Sequence, residues 1–164
     1  MPHDEPIAST EDGRDLYDNA LTVVVVVLEL EDTGIVAVRR ANRPGFGKLA
    51  LPGGFQMRGE LWQDAAAREL REETGYVISP FDVVLIDVVT DEHGHNLIFC
   101  TTGNNASLIN LHTHDDEVEE VIDVSIDDLM DPTNDADWAF PLHFKIARVR
   151  AIRSDIHHLL EVNK

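Results

Sequence analysis

The order of elements along the chain predicts an α+β fold, a single domain in which a mixed β-sheet is sandwiched between helices (α/β/α). Three observations carry that expectation. A valine-rich run from Ala20 to Leu30 is apolar at successive positions, as a strand buried on both faces must be. A stretch of good helix formers, Leu61 to Thr74, contains Ala65-Ala66-Ala67 and stops at Gly75, a natural residue just past a helix end. The chain closes with apolar residues at three- and four-residue spacing, the mark of an amphipathic helix.

Residues 1–19 are polar, acidic and aperiodic, and read as a flexible arm ahead of a domain spanning residues 20–164. After the valine strand, Thr33-Gly34 turns the chain into a second strand, Ile35 to Arg39, making a hairpin. Pro44, Gly45 and Gly47 make Asn42 to Gly47 a loop. Leu49 to Phe55 is a short extended piece broken by Pro52-Gly53-Gly54. Beyond the first helix, strands are expected at Phe81–Thr90 and Asn96–Thr102, then a polar loop from Gly103 to Glu117 and a strand at Val118–Val124. Ser125 is placed to cap a short helix. Pro141 suits the first position of the last helix, 141–160, whose stripe is Leu142, Ile146, Val149, Ile152, Ile156 and Leu159.

A chain of 164 residues buries an adequate core without disulfides. Its lone cysteine, Cys100, lies in the run Leu97-Ile98-Phe99-Cys100 and reads as a buried, inert thiol, which fits a reducing cytoplasm. Met1 to Glu5 is acidic where a secretory leader is basic. No apolar run approaches the roughly 20 residues that span a bilayer. A cytoplasmic protein with no membrane partner is the expectation. The net charge of −18 argues against duplex nucleic acid, whose phosphates demand cations. Yet from Val36 to Gly59 there are five cations, Arg39, Arg40, Arg43, Lys48 and Arg58, and no acid. That island suits a polyanionic small molecule, with a solvated basic loop as the competing reading. Lys145, Arg148, Arg150 and Arg153 put a basic stripe on the last helix, to pair with this protein's own acidic surface or across a homodimer.

Glu69, Glu72 and Glu73 stand at i, i+3 and i+4, so a helix brings them to one face. Carboxylates about 5.5 Å apart repel by roughly 3 kcal/mol per pair at an effective dielectric near 20. A divalent cation reverses that sign, and an all-oxygen cluster suits Mg²⁺ or Mn²⁺. Alone, the segment Arg68 to Glu73 reads better as a solvated face with charge pairs than as a metal site. The spacing decides: Gly54, Glu60, Arg68, Glu69, Glu72, Glu73 and Gly75 complete the pattern G-x5-E-x7-R-E-U-x-E-E-x-G-U, with Tyr76 at the last apolar place. A chance match to seven fixed letters is on the order of 10⁻⁸ per window.

On those residues the chain resembles the Nudix hydrolases. The likeness runs from about residue 20 to 130, and Asp123 stands where a tryptophan is common. The resemblance implies hydrolysis of a pyrophosphate bond in a nucleoside diphosphate linked to another group, ADP-ribose or a nucleotide sugar first and a (d)NTP second. A nucleotide-binding module without turnover is the alternative from another class. It implies one or more Mg²⁺ ions on the Gly54 carbonyl, Glu69, Glu72 and Glu73, with Arg68 orienting the glutamates and Glu60 bracing the loop. It leaves the general base open between Glu69 and a downstream acid, with Glu117 and Glu120 ahead of Asp115, Asp116 and Glu119. Arg39, Arg40, Arg43 and Lys48 are the candidate substrate contacts.

Overall fold

The computed structural model describes residues 5–30, 34–102, 106–108 and 116–162, with side chains along the last helix as far as Arg153. The turn at Thr33, Asp115, and the side chains of Ile156 and Leu159 lie outside the described residues.

The chain opens with β1 (Ala8–Ser9) and β2 (Asp15–Leu16), then β3 (Thr22–Val27), β4 (Glu29–Leu30), β5 (Gly34–Arg40), β6 (Leu49–Ala50) and β7 (Gly53–Phe55). Helix α1 (Trp62–Thr74) is followed by β8 (Tyr76–Val77), β9 (Val83–Thr90), β10 (Asn96–Thr102), β11 (Ser107–Leu108) and β12 (Val118–Val124). Helices α2 (Ile126–Met130) and α3 (Pro141–Val162) complete it.

Two four-stranded assemblies make the middle layer. One has the order β7-β3-β10-β9, with β3 and β10 parallel and the other pairs antiparallel. The second runs β12-β5-β4, with β6 also on β5. The valine run is what joins the layers. Val24 and Val26 pack with Ala65, Ala66 and Leu70 of α1, while Val25 and Val27 pack with Phe144, Ala147 and Ala151 of α3. Alternation along one strand therefore serves two cores, and both faces must be apolar. The fold is the α/β/α sandwich expected. Trp138 is buried in the α3-side core, its ring centroid 5.8 Å from that of Phe144.

Five expectations change. The hairpin is between β4 and β5, because the chain steps at Leu28 and β3 pairs with β7 and β10 instead. Within the expected arm, residues 8–16 carry regular structure: β1 and β2 form a small antiparallel hairpin. Strand β9 starts at Val83, since Pro80 to Asp82 is a 3-10 turn capped by Ser79, with Phe81 in solvent. The segment after β10 contains β11, which pairs with β8. The buried face of α3 is Phe144, Ala147 and Ala151, and Val149 and Ile152 are exposed. Leu142 and Ile146 of the expected stripe do pack against that core, but beyond them small residues let the helix lie close to the sheet and contact follows alanine spacing. Among the described residues no helix is long and apolar enough to cross a membrane.

Candidate active site

Helix α1 begins after an extended Leu61 that supplies no side-chain cap and ends at Gly75, whose φ of 77° and N–H to the Arg71 carbonyl close the last turn. Ala65, Ala66, Glu69, Leu70, Glu73 and Thr74 form its buried side. Glu69 and Glu73 therefore turn inward, toward β7, while Glu72 remains 44% exposed.

Strand β7 meets these carboxylates with two glycines. The Gly53 N–H donates to Glu73 Oε2 at 2.8 Å. A Cβ placed on Gly54 would stand 2.6 Å from the Glu69 carboxyl carbon, and one on Gly53 would stand 2.1 Å from the Val24 carbonyl oxygen. Glycine at 54 lets the strand lie against the Glu69 carboxylate, and glycine at 53 lets it lie against the β3 backbone.

One guanidinium organises the rest. Arg68 Nε and Nη2 donate to the two oxygens of Glu60 at 2.9 and 3.0 Å, and Nη1 to Glu69 Oε1 at 2.6 Å. Nη1 also reaches Glu72 Oε2 at 3.4 Å, and Nη2 the Phe55 carbonyl at 3.1 Å. Hydrogen bonding to Arg68, with a further N–H from Met57, holds the Glu60 carboxyl below the usual carboxylate range despite partial burial. The guanidinium is pushed further up by the same bond. Gln56 closes the loop by donating from Nε2 to the Glu60 carbonyl at 2.6 Å.

The donor set around Gly54 is all oxygen, which fits a hard divalent cation. Among the described residues no three His, Cys, Asp or Glu side chains are drawn together tightly enough to enclose an ion. Arg68 draws Glu69 and Glu72 to itself, and Glu73 takes the Gly53 N–H. Glu72, half-exposed and held only by long contacts of 3.4 Å to Arg68 and 3.6 Å to Arg71, is the one with freedom to turn.

Of the downstream acids, Glu120 pairs with Arg39 at 3.2 Å across β12 and β5. The Glu117 carbonyl accepts from the Ala41 N–H at 2.7 Å, and Asp116, Glu117 and Glu119 face solvent. The cationic island divides. Arg39 also donates to the Gly47 carbonyl, and Arg40 to the Pro44 carbonyl and Asn42 while lying over the Phe140 ring. Lys48 donates to the Ala136 carbonyl. These three fasten the Asn42–Gly47 loop and the segment before α3. Arg43 and Arg58 make no hydrogen bond or ion pair with any described residue.

Other features take structural places. Cys100 is buried with its thiol pushed up to about 12 by desolvation, so it stays protonated. Arg150 pairs with Glu29 of the same chain, Nε to Oε1 at 2.7 Å. Sequence reasoning missed His143, which accepts the Leu51 N–H on Nδ1 at 3.2 Å while buried between Phe99 and Phe140. A lone histidine beside Phe144 in a helix carried no signal for that role.

Fold and geometry together define the class: an α/β/α protein in which a Gly-Gly strand lies against a glutamate-bearing helix. The family described as NUDIX domain matches residues 18–144, and the chain belongs to the Nudix hydrolase family. A protein named ADP-ribose pyrophosphatase from Methanocaldococcus jannaschii is 40% identical over 62 residues, which cover 38% of this chain and 36% of that protein. The match thus spans about a third of that relative's length. A NUDIX hydrolase from Nitrosomonas europaea shares the fold with a TM-score of 0.62 at 21% identity, covering 85% of this chain and 90% of that one. A bifunctional NMN adenylyltransferase/ADP ribose pyrophosphatase from Francisella tularensis, in complex with AMP and a Mn ion, gives 0.60 at 22% identity over 84% of this chain and 43% of that one.

Proposed function

We propose that this protein hydrolyses the phosphoanhydride of a nucleoside diphosphate linked to another group, ADP-ribose or a nucleotide sugar before a (d)NTP, with Mg²⁺ as its cofactor. The observation that carries the reading is Arg68 gathering Glu60, Glu69 and Glu72 at the Gly54 strand. The name of the archaeal relative supports the substrate order.

Gly54 through its carbonyl, with Glu69, Glu72 and Glu73, would hold the ion. Bound there, a divalent cation supplies Lewis-acid charge against the negative charge of the anhydride. The chain's own groups do the rest. Arg68 sets the orientation of Glu69 and Glu72 through charge-assisted hydrogen bonds. Glu60, fixed by Arg68 and the Met57 N–H, braces the loop instead of entering the reaction. A carboxylate must take the proton of the attacking water. Both Glu69 and Glu120 are paired with an arginine, but Glu69 lies against Gly54 inside the cluster, whereas Glu120 is held on β12 by Arg39 of β5. Glu69 is therefore the first candidate base, with Glu117 the second. Arg43 is exposed and has no partner among the described residues, which leaves it, of the four predicted cations, free to meet substrate.

The test is incubation with Mg²⁺ and ADP-ribose, nucleotide sugars, dinucleoside polyphosphates and (d)NTPs, with released phosphates measured. Glu72→Gln is expected to lower kcat by at least ~10²-fold. Turnover of no panel member would favour a binding module, and a Glu72→Gln change under about threefold would remove that residue from the metal set.

A further inference from the structure

A cavity of about 460 Å³ lies between the β1–β2 hairpin and the loop ahead of α1, lined by Thr10, Arg14, Asp15, Leu16, Tyr17 and Arg58. We infer that it is a subsite for the nucleoside monophosphate part of the ligand, with phosphate between Arg14 and Arg58 and the base against Tyr17. The inference rests on the hydrolase reading above for its link to turnover.

Size admits such a ligand, since small-molecule sites span roughly 300–1,000 Å³. Charge favours it more. In a chain of net charge −18, two guanidiniums meet at one opening. Arg58 has no partner among the described residues. Arg14 pairs with Asp12 at 3.0 Å, but the two side chains are 70% and 60% exposed, and so open an ion pair is weak enough to yield to phosphate. Tyr17 is 44% exposed, and a half-exposed ring gains by stacking on a base. Asp15, held by the Ser9 hydroxyl at 2.9 Å, repels phosphate and accepts from sugar hydroxyls or an exocyclic amine. It thereby sets which end of the ligand faces the arginines.

The cavity is built, and it is tied to the glutamate cluster. The Ile7 N–H donates to the Leu16 carbonyl at 2.7 Å and the Thr10 N–H to the Arg14 carbonyl at 2.8 Å, which holds the hairpin in register. Arg58 sits in the turn that Glu60 closes by accepting the Met57 N–H, and Glu60 is itself gripped by Arg68. The turn that carries Arg58 is thus braced by the same arginine that holds Glu69 and Glu72.

The experiment measures AMP binding by calorimetry, and KM and kcat for ADP-ribose, in the wild type, the Arg14→Ala/Arg58→Ala double variant and Tyr17→Ala. The double variant is expected to weaken AMP and raise KM about tenfold or more while kcat changes less than about threefold. Tyr17→Ala is expected to weaken AMP but leave ribose 5-phosphate binding alone. All three residues are exposed, and matching thermal melts certify folded protein. AMP affinity and KM within about twofold of wild type in the double variant overturn the subsite while leaving hydrolysis intact. AMP binding that depends on the arginines, in a protein that turns over nothing, keeps the subsite and sinks the hydrolase reading.

Discussion

Arg68 shows how one side chain sets a site. Its five donors in a rigid fork reach three carboxylates and a carbonyl, a task the point charge of lysine cannot do. Arg68→Lys should therefore lower kcat/KM for the hydrolysed substrate by on the order of 10²-fold, read by steady-state kinetics. A loss under about threefold would mean the glutamates hold their places without it. Gly54 is the second such residue. Because a Cβ would stand 2.6 Å from the Glu69 carboxylate, Gly54→Ala must push that carboxylate out of place or shift β7. The expected outcome is a fall in kcat of roughly 10²-fold with the thermal midpoint changed by only a few degrees, about 1 kcal/mol. Unaltered kcat in a folded Gly54→Ala protein would free Glu69 from the reaction.

At the scale of elements, His143 pins the first turn of α3 to the segment between β6 and β7. Burial, with the charge of Arg40 adding to it, lowers this imidazole to about 3 from an ordinary 6.5. The folded state binds fewer protons than the unfolded one below pH 6.5, so stability is full above that pH and falls between 6.5 and about 3. The slope approaches 1.4 kcal/mol per pH unit, and Glu60 adds to the loss below about pH 4.5. Urea unfolding from pH 7 to 4.5 measures it, and His143→Phe should flatten the limb between pH 6.5 and 5. An equally steep limb in that variant would place the titration elsewhere. Local pattern made much of this architecture legible. An apolar run marked β10 and alternation marked β12 residue for residue. One helix's spacing put the three glutamates on one face, though their meaning needed Gly54, Glu60, Arg68 and Gly75 in register. What stayed hidden depends on distant partners. The step at Leu28 is set by pairing with β10, some seventy positions away, and the face of α3 by how closely two alanines let it approach. Lys48 looked like a phosphate ligand until the fold brought it the Ala136 carbonyl, 88 positions on.

For the molecule as a whole, charge is the dominant unbalanced quantity. Thirty-one acids against thirteen cations give −18, and the 24 residues from Val36 to Gly59 hold five of those cations and no acid. The remaining surface is therefore more acidic than the total suggests, and three of the five island cations are spent on the protein's own carbonyls and side chains. Self-repulsion of this kind acts over a Debye length, about 10 Å at 0.1 M salt and about 3 Å at 1 M. Raising KCl across that range should screen it and raise the thermal midpoint, while the packing of Val24–Val27 between α1 and α3 carries no charge to be screened. Melting curves at neutral pH measure the effect, with an uncharged osmolyte at matched osmolality as the comparison. A midpoint that stays flat or falls with KCl would mean that local pairs such as Arg68–Glu60 and Arg150–Glu29, which salt weakens, outweigh the net repulsion. The geometry argues the other way, because both pairs are largely shielded from solvent and lose little to screening.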